Sequence, residues 1–106
     1  MPSRESKYQG ELIKRIYARF PDCQVLKNDS GYLQGIPDLT ILFDGGVWAV
    51  LEVKRSSDEP YQPNQEFYLD KLAEWSFTAT IYPENEEAVL NELQQKLETR
   101  WAARLS

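Results

Sequence analysis

The 106-residue sequence contains no histidine. That removes a Ser-His-Asp triad, a Cys-His nucleophile pair, a histidine general base and any His-ligated zinc. It contains one cysteine, Cys23, so an intrachain disulfide and a four-cysteine zinc site are excluded. A single thiol fits a cytoplasmic protein. Long apolar runs are also missing. The longest, Val47-Trp48-Ala49-Val50-Leu51, is far short of a membrane span, and the opening MPSRES does not read as a signal peptide. Base is scarcer than acid, with 12 Lys and Arg against 17 Asp and Glu and a net charge of −5. On charge alone, a nucleic-acid partner is disfavoured.

What is present points to one folded domain over residues 1–106. A chain of this length buries roughly 60–70% of its unfolded surface. Its 42% apolar and 27% charged content is that of a soluble globular protein. The charge is unevenly spread. Residues 1–30 carry six bases and four acids, leaving six bases and thirteen acids for the rest. A basic face can therefore exist under a negative total, and charge leaves both readings open. With histidine and paired cysteine gone, the chemistry left is that of carboxylates, lysine, tyrosine and hard metals.

Hydrophobic spacing predicts a helix over 6–20, where Tyr8, Leu12, Ile16 and Phe20 recur every four residues, capped by Ser6 or Ser3. A short strand is expected over 23–28, then a turn-rich stretch with Gly31 and Gly35, both read as turn makers. Two strong strand runs follow, 38–43 and 47–54, separated by Asp44-Gly45-Gly46. A polar loop over 55–62 leads to a helix from Pro63 to Trp75, and 77–82 reads as a strand. Asn85 can cap a last helix whose apolar stripe is Val89, Leu93, Leu97, Trp101 and Leu105. The order is α-β-β-β-α-β-α, a mixed central sheet flanked by helices in the α/β class.

The register of the central hairpin carries the chemistry. A three-residue loop, as a type I turn with a glycine bulge, sets Phe43 opposite Val47 and Asp38 opposite Glu52. Leu39, Ile41, Phe43, Val47, Ala49, Leu51 and Val53 then form one wholly apolar face. Asp38, Thr40, Leu42, Trp48, Val50, Glu52 and Lys54 form the other, with three charges at its open end. Buried charges need one another or a cation. Two facing carboxylates suit Mg²⁺, which prefers oxygen donors and substrate phosphate. Lys54 points to the same side and can stabilise developing negative charge. The chemistry expected is metal-assisted hydrolysis of a phosphodiester. A structural salt bridge is the plain rival, since Glu-x-Lys and Pro-Asp are each common by chance. Their joint placement on facing strands is far more specific.

These residues resemble the PD-(D/E)xK nuclease superfamily, with Pro37-Asp38 followed by Glu52-Val53-Lys54 and a restriction-endonuclease-like element order. Within it the sequence is most similar to the stand-alone virus-type replication-repair nucleases, the VRR-NUC family. The matching residues are Gly35-Ile36-Pro37-Asp38-Leu39, Glu52-Val53-Lys54 and Gln65-Glu66-Phe67-Tyr68. Archaeal-type Holliday junction resolvases are the next nearest likeness. The resemblance covers about residues 5–82.

It implies Mg²⁺ or Mn²⁺ held by Asp38, Glu52 and the backbone carbonyl of Val53, with Lys54 as catalytic lysine. Gln65 would help place Lys54 or the attacked phosphate. Glu11 matches an accessory helix acid that can touch the metal, or it is a solvated partner of Lys7 and Arg15 at i−4 and i+4. Gln65 can equally be an exposed residue of a first helical turn, and Tyr68 reads as packing. Lys27, Tyr32 and Arg55 are candidate nucleic-acid contacts or ordinary solvated side chains. Trp48 and Trp101 read as core or interface. The function implied is a metal-dependent DNA endonuclease, selective for branched DNA such as junctions and flaps, in phage or mobile-element replication, recombination or repair. No small-molecule cofactor and no membrane are expected. A homodimer is expected from the small size, pairing two basic N-terminal faces. A catalytically inactive binding module and an RNA-cleaving enzyme are the alternatives.

Overall fold

The computed structural model describes residues 4–105, with side chains over 6–103. Helix α1 spans Arg4–Arg19 and buries Leu12 and Ile16 completely, with Tyr8, Ile13 and Tyr17 packed beside them. It starts earlier than the hydrophobic spacing predicts. Ser6 lies inside it and does not begin it, while Ser3 falls outside the described residues. Phe20 follows the helix and packs edge-on against Phe43, centroids 5.4 Å apart.

The strands are β1 (Gln24–Lys27), β2 (Leu39–Phe43), β3 (Val47–Val53) and β4 (Phe77–Ile81). They form one sheet in the order β1-β2-β3-β4. The first three run antiparallel as a meander, and β4 adds parallel to β3 after the crossover through helix α2 (Gln65–Ala73). Phe43 faces Val47 and Leu39 faces Leu51, the register expected. The turn differs. Gly45 has φ 86° and Gly46 φ 81°. A positive φ at the third turn residue is what a type II turn needs, so the type I expectation fails at Gly45.

One sheet face is dry. Leu39, Ile41, Phe43, Val47, Ala49, Leu51, Val53 and Ile81 are all buried on it. Opposite them sit the buried residues of α1 and of helix α3 (Glu86–Leu105), which contributes Val89, Leu90, Leu93 and Leu97. Each fully buried Leu or Ile contributes roughly 1.5–3 kcal/mol relative to exposure. Trp101 departs from the expected stripe, being 39% exposed. Asn85 also departs from its expected role. Its backbone carbonyl accepts the Val89 N–H, but its side chain turns back to β4, accepting from Tyr82 N and donating to Thr80 O.

The helices are also tied by polar contacts. Arg15 gives Nε and Nη2 to the Glu86 carboxylate at 2.6 and 2.8 Å, and the Tyr8 hydroxyl donates to it at 2.9 Å. Arg19 reaches Gln94 and Asn91 on α3. The second sheet face is covered only in part. Leu26 and Leu42 are 42% and 43% exposed there, whereas Val50 is buried. α2 is two residues shorter at each end than predicted. Asn64 takes a left-handed conformation, φ 71°, immediately before it and separates it from Pro63. Among the described residues, no helix is long and apolar enough to cross a membrane.

Candidate active site

The alternation of β3 sends Glu52 and Lys54 to the second face, at the end of the sheet away from the glycine turn. The β2–β3 register, carried one residue beyond Leu39, sets Asp38 opposite Glu52. Glu52, on β3, and Lys54, just past its end, are both deeply placed, 1% and 4% exposed. Asp38 is half-buried. Its Oδ2 accepts the backbone N–H of Val53 at 2.8 Å, which fixes the carboxylate against the neighbouring strand. Hydrogen bonds to an ionised acceptor are the strong ones, so this contact orients Asp38 firmly. Its own backbone carbonyl accepts from Asn28 N, continuing the β1–β2 ladder.

Glu52 engages its surroundings, and its Oε2 atom is a buried side-chain oxygen that no hydrogen bond from the described residues reaches. On the other side Glu52 stands in register with Thr80 of β4. Lys54 Nζ donates to Gln65 Oε1 at 2.9 Å and to Pro60 O at 3.2 Å. The ring of Tyr61 lies over the same nitrogen, 5.2 Å from its centroid. Gln65 Oε1 also accepts from Gln62 N at 2.6 Å, so one oxygen serves the lysine and the start of α2 together.

Of the expected site residues, then, Asp38, Glu52, Val53, Lys54 and Gln65 come together at one end of the sheet. Glu11 is exposed on α1, and Arg15 gives its guanidinium to Glu86. No three His, Cys, Asp or Glu side chains among the described residues gather into a group that could hold a metal ion. A cation here would draw on two carboxylates, backbone and water. Lys27 and Tyr32 are exposed, Tyr32 at 87%. Arg55 is exposed and forms an i,i+4 ion pair with Glu59 at 3.0 Å. Sequence reasoning missed Tyr61 and Thr80, whose hydroxyls lie 2.7 Å apart. A lone tyrosine in a polar loop and a threonine in a strand carry no spacing signal.

No family model matches the chain, and no curated protein matches it. Among solved structures it is similar to one described as a "VRR_NUC domain", with a TM-score of 0.66 and 19% identity. The match covers 85% of this chain and 97% of that one. At this identity the likeness is one of architecture, and nearly the whole of the other domain takes part. By its fold, this α/β chain resembles a VRR_NUC domain.

Proposed function

We propose that the chain is a metal-dependent DNA endonuclease that hydrolyses phosphodiester bonds in branched or flapped DNA. The observation that carries this reading is the meeting of Asp38, Glu52, Lys54 and Gln65 at one sheet end, within a nuclease-type fold. The donor set fits the implied metal. Two carboxylates on adjacent strands, one oriented by a backbone N–H, are hard oxygen ligands with no imidazole or thiolate beside them. Asp38, Glu52 and the Val53 carbonyl would hold Mg²⁺ or Mn²⁺. Such an ion, when bound, supplies Lewis acidity and a more acidic water.

The protein's own groups do the rest. The Val53 N–H holds Asp38 in one orientation. An ammonium has three N–H donors, and Pro60 and Gln65 take two of those on Lys54. The third suits a phosphate oxygen, where a fixed positive charge stabilises the negative charge that develops during attack. Gln65 keeps the lysine aimed. Phage or mobile-element DNA metabolism is the setting proposed. The active unit is taken to be a homodimer, because one domain of this size offers little surface for gripping DNA; a monomeric mass at working concentration counts against it.

The test is cleavage of plasmid, flapped and four-way DNA with Mg²⁺ or Mn²⁺, beside matched RNA. Branched DNA is expected to be cut, and Asp38→Ala and Lys54→Ala to lose the activity, with Glu11→Ala measured alongside. Equal cleavage by parent, Asp38→Ala and Lys54→Ala overturns the assignment. Preference for RNA would transfer it to RNA processing. Calorimetric titration without metal binding, to protein or protein–DNA complex, would favour an inactive binding module.

A further inference from the structure

The segment between β3 and α2 reads from composition as a polar loop, yet it folds back over Lys54. Pro60 O and Gln65 Oε1 accept two N–H bonds from Nζ, and the Tyr61 ring stands over the same nitrogen. The Tyr61 hydroxyl lies 2.7 Å from Thr80 Oγ1, on the strand position in register with Glu52. Tyr61 thus bridges the ammonium and the strand beside the buried carboxylate. Core packing does not explain its position, because Tyr61 is 41% exposed while the lysine beneath it is 4% exposed.

We infer that Tyr61 is a positioning residue for Lys54: its ring roofs the ammonium, and its hydroxyl fastens that roof to β4 through Thr80. The consequence for turnover rests on the nuclease reading; the Tyr61–Lys54 relationship does not. A lysine has a long stem with many rotamers, and two acceptors leave it free to swing about them. A ring face attracts the cation most where water is excluded, so the roof both holds the nitrogen and dries its surroundings. The hydroxyl tether matters because an exposed loop has little else to fix it.

The experiment has two arms on the full chain. In the first, nuclear magnetic resonance of the nucleic-acid-free protein reads the Lys54 ε-methylene protons, which a ring stacked above them shifts upfield. The parent is expected to show the shift in full, Tyr61→Phe, which keeps the ring but loses the hydroxyl tether, to show it reduced, and Tyr61→Leu to lose it. Thr80→Val, which keeps the ring and cuts the tether, is expected to reduce it. In the second, steady-state cleavage of branched DNA separates kcat from KM. Tyr61→Leu is expected to lower kcat about tenfold with KM within about threefold, and Tyr61→Phe, which keeps the ring without its tether, to recover part of that loss. Ordinary Lys54 shifts in the parent, or parental kcat in Tyr61→Leu, overturn the inference. If the parent cuts no nucleic acid, the nuclease reading falls and the resonance arm alone decides: a shift lost in Tyr61→Leu supports the roof, and an unchanged one overturns it.

Discussion

Gly35 and Asn64 approach so closely that a Cβ on Gly35 would lie 2.5 Å from Asn64 Cβ and 2.6 Å from its carbonyl carbon. Both have positive φ, 90° and 71°. The contact joins the stretch leading into Asp38 to the residue that precedes Gln65 on α2. It therefore ties together the two approaches to the site. Gly35→Ala meets backbone as well as side chain, in a left-handed conformation that disfavours any Cβ. It is expected to lower stability by about 2–4 kcal/mol in urea unfolding. A cost below about 0.5 kcal/mol would show that the loop gives way freely.

Gln65 Oε1 accepts from both Lys54 Nζ and Gln62 N. Gln65→Leu keeps the bulk and removes both acceptances. Turnover on branched DNA is expected to fall about 10–100-fold, with a stability loss of about 1 kcal/mol. Gln65→Glu retains an acceptor for the ammonium and should recover part of the rate. Parental rates for both variants in single-turnover cleavage would show that Lys54 does not depend on this contact.

The Arg15–Glu86–Tyr8 contact makes a prediction about acid. The guanidinium hydrogen bond holds the Glu86 carboxyl below its ordinary value, against the opposing effect of burial, and the Tyr8 hydroxyl adds to the lowering. A carboxyl depressed in the folded state contributes stability that is present above its unfolded value and lost as pH falls through the folded one. Unfolding free energy should therefore decline as pH drops below about 5. In Glu86→Gln that part of the decline should disappear, at a cost of about 1 kcal/mol at pH 7 that reflects the half-exposed Arg15. Parallel acid limbs for parent and variant would remove Glu86 from the account.

The hairpin was legible because its information is local. Asp44-Gly45-Gly46 sets the loop length, loop length sets the register, and the register puts Asp38 across from Glu52. The apolar faces followed from the same arithmetic. What was not legible depends on contacts distant in sequence. Asn85 had the right residue type for a cap, but Thr80 O of β4 and Tyr82 N just past it engage its side chain instead. Trp101 keeps the helical period yet is 39% exposed, so periodicity there does not mean burial. Arg15 had Glu11 one turn away and went to Glu86, 71 residues distant. Tyr61 over Lys54 and Gly35 against Asn64 arise only once α2 docks, and no spacing announces them.

Glu52 and Asp38 face each other, but they are held differently, and this separates their roles in stability. Asp38 accepts a backbone N–H through Oδ2. In Asp38→Asn the amide oxygen can take over that acceptance, so stability should change by less than about 1 kcal/mol. Glu52 is 1% exposed and sits across from another carboxylate. A charge placed there is costly to keep out of water, and Glu52→Gln removes it at nearly constant shape. The metal-free variant is expected to be more stable than the parent by about 1 kcal/mol in urea unfolding. Addition of Mg²⁺ should reverse the order: a parent that binds the ion gains about 1.4 kcal/mol at ten times Kd, and the variant gains little. Cleavage by Glu52→Gln should fall about 100–1000-fold. The crossing of the two stability curves is the informative result, because a carboxylate kept for structure would leave the variant weaker with or without Mg²⁺. A Glu52→Gln protein that loses stability in metal-free buffer would place Glu52 among the groups that hold the fold and would remove it from the metal site.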